Sequence, residues 1–440
     1  MKVIEKKHQF DEVIDSINEC YVVPIFTDSN KHPLNNKLSL LYIEAEEDYM
    51  LCFDHTDSLG LSIDCLDELN SKKIYTHDKK QLNHLFRWDN VIDLSMWYYL
   101  NTNKVLEFTD MATSTHSFFN RKFYRLNNLN KIVPIMKHYE YCKDVVRKMK
   151  KVLTLYKKPS GFDSYNTDVL NNLSDIETSG IGFDTDYITI ENKPHLSSNN
   201  LVFTQYNPYT STGRPSNKYA GTNYSALNKA DGSRKPYRSR FESGIMVEMD
   251  YDAYHLRLIA DIIGYDFPNG SVHEYLSKQY GVDYNESKKL SFKYLYGGIP
   301  KDVEASIPFF GDVKNYIGLL WSEYIKGFSL KSYIYNRDIL HTNYSDMNPN
   351  KVFNYMIQLM ETEYNIKMMG DLFKFMKDYK SKIVMYQYDS FLIDFNLADG
   401  KDFLIKAKNI IEQNGKFPVK VAYGKDYNEM KDFTEKLYAH

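Results

Sequence analysis

Two stretches in the C-terminal half carry apolar runs that stop on a carboxylate. Residues 245–250 predict a strand ending on Asp250. Residues 382–395 hold two apolar runs, Ile383-Val384-Met385 and Phe391-Leu392-Ile393, hinged on Tyr388-Asp389, which predicts a β-hairpin with an acid at its turn. Between them Lys288, Phe292 and Tyr296 recur at i, i+4 and i+8, along one face of a helix. Nearer the start, residues 21–26, 38–43, 49–53, 73–75 and 90–93 read as strands, with helices over about 79–86 and 94–101. This order predicts an α/β domain over 1–150, and a mixed α+β region follows a junction at 151–200.

An acid at a strand end costs desolvation unless something positive meets it. Two such acids from distant parts of one chain point to a shared divalent metal site, which can clamp the attacking and leaving oxygens of a phosphoryl transfer. Taken singly, Asp250 and Asp389 each read as a turn cap, the commoner role. The helix face offers a cation for phosphate and two aromatic planes for sugar and base; its other reading is an amphipathic core helix with a snorkelling lysine.

The surrounding order of motifs separates these readings. Ser211-Thr212-Gly213-Arg214-Pro215 and Asn223-Tyr224-Ser225 precede Asp250-Tyr251-Asp252-Ala253-Tyr254-His255-Leu256-Arg257, and Lys288, Phe292 and Tyr296-Gly297 follow. Asn354 and Gln358, then Tyr388-Asp389, complete the series. Over residues 176–440 the chain resembles the family A, DNA polymerase I-like, DNA polymerases. The resemblance implies a right-hand polymerase module with an antiparallel palm sheet over 201–262 and 346–440 and helical fingers over 263–345. It makes Asp250, Asp389 and the carbonyl of Tyr251 the ligands of two Mg²⁺ ions, with Mn²⁺ as a substitute. It makes His255, His273, Lys288, Phe292 and Tyr296 the dNTP contacts, and Arg214, Asn223, Asn354, Gln358 and Tyr388 the primer and template contacts.

The chain also departs from that family. His255 stands where a glutamate excludes the ribose 2′-OH, Tyr284 where an arginine meets the triphosphate, and Ser390 where the third motif carries a second acid. The 1–150 domain resembles the RNase H-like 3′–5′ exonuclease domain that precedes the polymerase in this family. Pro24 and Phe26 stand where acids are expected, however, and Gln81 where a second acid belongs. Asp28, Asp93 and Asp144 remain as isolated acids, so a degenerate exonuclease domain is expected. About 30 residues separate Asp184 from Gly213, too few for the two long antiparallel helices of a thumb at ~1.5 Å per residue. A reduced or absent thumb calls for a processivity or replisome partner.

Composition changes this picture little. Hydrophobic content of 43% supports a core, and a net charge of −3 means that any nucleic-acid surface is local. Two basic clusters occur, at 147–158 and at 229–240, the second read as a nucleic-acid contact. Four scattered cysteines without metal spacing indicate a reducing compartment. With no long apolar run or leader, the expected location is the cytoplasm, that of a host cell for a phage protein. The leading expectation is a DNA-directed DNA polymerase without proofreading, acting on DNA primer-template and dNTPs. The competing ones are a polymerase with relaxed sugar selectivity and a DNA-binding accessory subunit that has lost catalysis.

Overall fold

The computed structural model describes residues 1–28, 31–56, 58, 60–107, 130–268, 270–339 and 346–438. The stretches 108–129, expected in the N-terminal domain, and 340–345, expected at the end of the fingers, lie outside the described residues. The chain divides into two compact units, Met1–Thr178 with Thr189–Asn199, and Ser179–Ile188 with Asn200–His440.

The first unit is built on a six-stranded sheet. Glu19–Phe26, Leu38–Glu44 and Asp48–Cys52 form an antiparallel meander, and Lys73–Thr76 and Val91–Asp93 extend it in parallel. Lys2–Ile4 pairs in parallel with Asp48–Cys52 at the other edge. Alternation places Val22, Leu41, Ile43 and Leu51 on one face, against the helix Lys7–Ile14. Val23, Leu40, Tyr42 and Met50 lie on the other face, against Cys142, Val145 and Met149 of the helix Ile135–Leu155. Period 2 on both faces is what a sheet covered on both sides requires. The unit runs past residue 150: the helix Leu170–Ser179 is anchored to it by buried Glu177, which meets Lys80 and lies 2.8 Å from His84 Nε2. That neighbourhood holds Glu177 well down, at about 2: burial pushes upward but Lys80 and His84 outweigh it.

Asp93 and Asp144, two of the isolated acids in this unit, serve local structure. Asp93 accepts from the backbone N–H of Met96 and of Lys79, capping the helix Leu94–Thr102. Asp78 caps Lys79–Asn83, and Asp144 pairs with Arg147 at 2.6 Å.

In the second unit a five-stranded antiparallel sheet runs in the order Lys382–Gln387, Ser390–Asn396, Gly244–Tyr251, Val419–Gly424, Lys431–Asp432. The expected strand and hairpin are both present, and the strand ending in Asp250 is the central one. The helices Val272–Tyr280, Tyr284–Gly297, Lys301–Ser306 and Pro308–Gly327 follow it. Asp283 accepts from the N–H of Glu286 and so sets where the Tyr284 helix begins, which fixes the face that carries Lys288. The 28-residue helix Pro349–Met376 opens with Asn348 as cap and Pro349 in its first turn. One helix, with a π turn at Tyr165–Val169, runs from Phe162 to Ser179; residues 180–253 are all described, and their helices are 3₁₀ turns of three residues each. No helix among the described residues is long and apolar enough to cross a membrane.

Candidate active site

Asp250 sits at the end of the central strand, paired with Ser390 on one side and Lys420 on the other. The hairpin closes at Gln387↔Ser390, so Tyr388 and Asp389 are its two-residue loop. Tyr388 takes φ +56, a left-handed value that costs a non-glycine residue about 1 kcal/mol and persists where neighbours over-determine it. Two bonds do so. The N–H of Tyr251 donates to the carbonyl of Asp389 at 3.0 Å, and Asn365 Nδ2 donates to the carbonyl of Tyr388 at 2.6 Å. The first of these joins the two acid-bearing motifs directly, backbone to backbone.

Both carboxylates are open to water but walled by protein on their other sides. That crowding, then the charges of Asp389 and Glu248, pushes Asp250 up to about 7, while Lys288 and Lys420 pull the other way. Crowding and Glu361 likewise raise Asp389. Two solvent-open carboxylates whose charged forms are both disfavoured by their surroundings form a donor set that a hard divalent cation relieves, and oxygen-only donors with open positions suit Mg²⁺. Asp250 and Asp389 fit that role as a pair. Among the described residues no group of three or more His, Cys, Asp or Glu side chains is arranged to hold a metal.

The residues expected around nucleotide form a connected chain. His273 and Phe292 rings lie 6.1 Å apart, Phe292 and Tyr296 stack at 6.1 Å and 3°, and the Tyr296 hydroxyl hydrogen-bonds His255 Nδ1. His255 Nε2 lies 3.2 Å from Glu361 Oε2. Arg214 grips the same carboxylate, with Nη2 donating to Oε1 at 3.0 Å and Nε 2.9 Å from Oε2, and its guanidinium lies 3.7 Å over the Tyr388 ring. The contacts to Oε2 are close approaches off the hydrogen-bond line. Glu361 is 0% exposed. Burial works to raise its pKa, but His255 and Arg214 prevail and hold it below the usual carboxylate value. One buried acid on the Pro349–Met376 helix therefore contacts Arg214 and His255 and, through them, Tyr388 and Tyr296.

The other expected residues are placed differently. Lys288 is exposed, and its charge favours the ionised form of Asp250. His273 is 2% exposed, and burial lowers it to about 4, so at neutral pH it is an uncharged ring and not a cation. Asn354 and Gln358 are partly buried on the long helix and, among the described residues, neither hydrogen-bonds the Asp250–Asp389 pair. Asn223 is partly buried beside Tyr224, whose carbonyl accepts from Gln387. The basic cluster at 229–240 is largely engaged within the unit: Arg240 meets buried Asp394 at 2.8 Å, Arg238 meets Asp184 at 3.4 Å and Arg234 meets Glu248 at 3.7 Å.

Gly213, in the turn before Arg214, has φ +77, and a Cβ there would stand 2.6 Å from Arg337 Nη1 and 2.9 Å from Leu359 Cδ1. Gly213→Ala should destabilise the protein by ~2 kcal/mol, from strain and overpacking together, as urea unfolding would measure.

No family model matches the chain, and no curated protein does. Among solved structures it is similar to the POL domain of Pol1 from M. smegmatis, determined in complex with DNA primer-template and dNTP. The TM-score is 0.68 at 14% identity, over 96% of this chain and 98% of that one. The chain shares the fold of that POL domain.

Proposed function

We propose that the protein is a family A DNA polymerase that extends a primer 3′-OH with dNTPs on a DNA template. The observation that carries this is the Tyr251–Asp389 backbone bond, which brings two carboxylates from distant motifs to one solvent-open place. A shared fold with a POL domain supports the reading. Asp250 and Asp389 would hold Mg²⁺, with Mn²⁺ suited to the same oxygens. When bound, the metal would supply Lewis-acid stabilisation of charge on the reacting phosphoryl oxygens. The chain's own residues do the rest. Lys288 offers its ammonium to the phosphates, and Phe292 and Tyr296 offer a stacked aromatic wall for sugar and base. Arg214 and Tyr388 hold the acid-bearing hairpin.

In this reading the first unit is an exonuclease-type fold without its catalytic acids, supported by the meander-plus-parallel sheet and by the capping roles of Asp78 and Asp93. The absence of an α-helix over 180–253, all of which is described, supports a reduced thumb, and with it reliance on a processivity partner.

The test is extension of a labelled primer on a DNA template with Mg²⁺ and four dNTPs. DNA binding without extension would favour the accessory-subunit reading. The sugar gate falls to His255, held by Tyr296 and Glu361. His255→Ala should lower the preference for dNTP over rNTP about tenfold, measured as the ratio of kcat/KM values. An unchanged ratio would remove His255 from that role.

A further inference from the structure

Lys420 stands directly across the sheet from Asp250, and Ser390 stands across on the other side. Residues paired this way in an antiparallel sheet point to the same face, so Lys420, Asp250 and Ser390 form one row. The Lys420 side chain is 52% exposed, with Nζ 2.8 Å from Asp252 Oδ1. Arg257 Nη2 holds the other oxygen of Asp252 at 3.2 Å, and that residue is nearly buried. Asp252 thus has two cations, and Lys420 is the outer, more solvent-open one. Lys420 is the half-exposed member of this pair, and if it leaves, Asp252 keeps Arg257.

Lys288 approaches Asp250 from a separate element, the Tyr284–Gly297 helix. Both lysines act on Asp250 and on the buried ring of His273, and Lys420 also lies beside Tyr284 at the start of that helix. Two ammonium groups from a strand and a helix therefore flank one carboxylate row, Lys420 held there by Asp252. A linear polyphosphate spans several ångströms, and a single point-charge ammonium covers only part of it. Tyr284 brings no charge to that end of the helix.

Resting on the polymerase reading, we propose that Lys420 is a second triphosphate contact beside Lys288, exchanging Asp252 for phosphate oxygens when nucleotide binds. The test uses the full chain in primer extension at varied dNTP, with inorganic triphosphate as a competing probe. Lys420→Gln should raise the KM for dNTP and the inhibition constant of inorganic triphosphate about tenfold each, more than any fall in kcat. Lys420→Arg should restore both to near wild type. Asp252→Asn, which releases Lys420, should leave both constants unchanged or lower them.

If Lys420→Gln and Asp252→Asn raise KM equally and lower the melting temperature together, Lys420 is only a structural partner of Asp252 and the proposal fails. It fails also if Lys420→Gln leaves both constants unchanged in an enzyme that extends primers. A wild-type protein that extends no primer overturns the polymerase reading itself, a separate result.

Discussion

Asp389→Asn should abolish primer extension, lowering the rate at least about 10³-fold, or ~4 kcal/mol of transition-state stabilisation, while leaving the fold intact. The second half of that expectation follows from where Asp389 sits. Its side chain is open to solvent, and its tie to the rest of the site is the backbone carbonyl that accepts from Tyr251 N–H, which the substitution keeps. Asparagine suits a hairpin turn as well as aspartate does. Removing the charge also takes away one of the influences that raise Asp250, so Asp250 ionises more readily in the variant. Any loss of activity therefore reports the missing carboxylate and not a failure of its neighbour to ionise. The measurement is single-turnover extension beside circular dichroism and primer-template binding. A variant that folds, binds and still extends at the wild-type rate would end the assignment of Asp389 to the metal site.

Much of the site was legible because its motifs combine short-range order with strong local rules. The apolar run into Asp250 and the hairpin around Asp389 follow from period and turn chemistry alone, and both formed as strands and loop. The i, i+4, i+8 face was legible for the same reason, and its aromatic members stack in the structure. What period cannot say is which polar side chains meet across distance. Glu361 and Asn365 carry much of the site's order. Asn365 bonds the Tyr388 carbonyl and accepts from Tyr254 Oη at 3.0 Å, yet neither residue belongs to a motif the sequence reading used.

A signal was present all the same. Asn354, Gln358, Glu361 and Asn365 follow at intervals of four, three and four, a polar stripe along one face of a helix whose buried positions are mostly apolar. Buried polar stripes need partners, and here Glu361 meets Arg214 and His255. Asn354 and Gln358 alone, as primer and template contacts, leave the stripe one turn short of its buried half. Lys420 escaped for a different reason. Its significance comes from strand register opposite Asp250, which no local pattern encodes.

The stripe leads to the second large effect. Glu361→Ala should destabilise the protein by ~3–5 kcal/mol, lowering the melting temperature by on the order of 10 °C. The reason is the partner left behind: the Arg214 side chain is 25% exposed and would keep its charge without an acid to meet it. Stability alone does not explain why an ion pair occupies that position, because well-packed apolar residues in place of a buried pair are often neutral or stabilising. The double variant Arg214→Met/Glu361→Leu separates the two roles. It should recover most of the melting temperature lost in Glu361→Ala, since no unpaired charge remains. It should not recover extension, because Tyr388 would lose the guanidinium stacked on it and His255 the carboxylate beside it. Recovery of both would make the Arg214–Glu361 pair a replaceable packing element. Recovery of stability without activity would mean that the pair is there to hold the acid-bearing hairpin and the sugar-facing histidine in one arrangement.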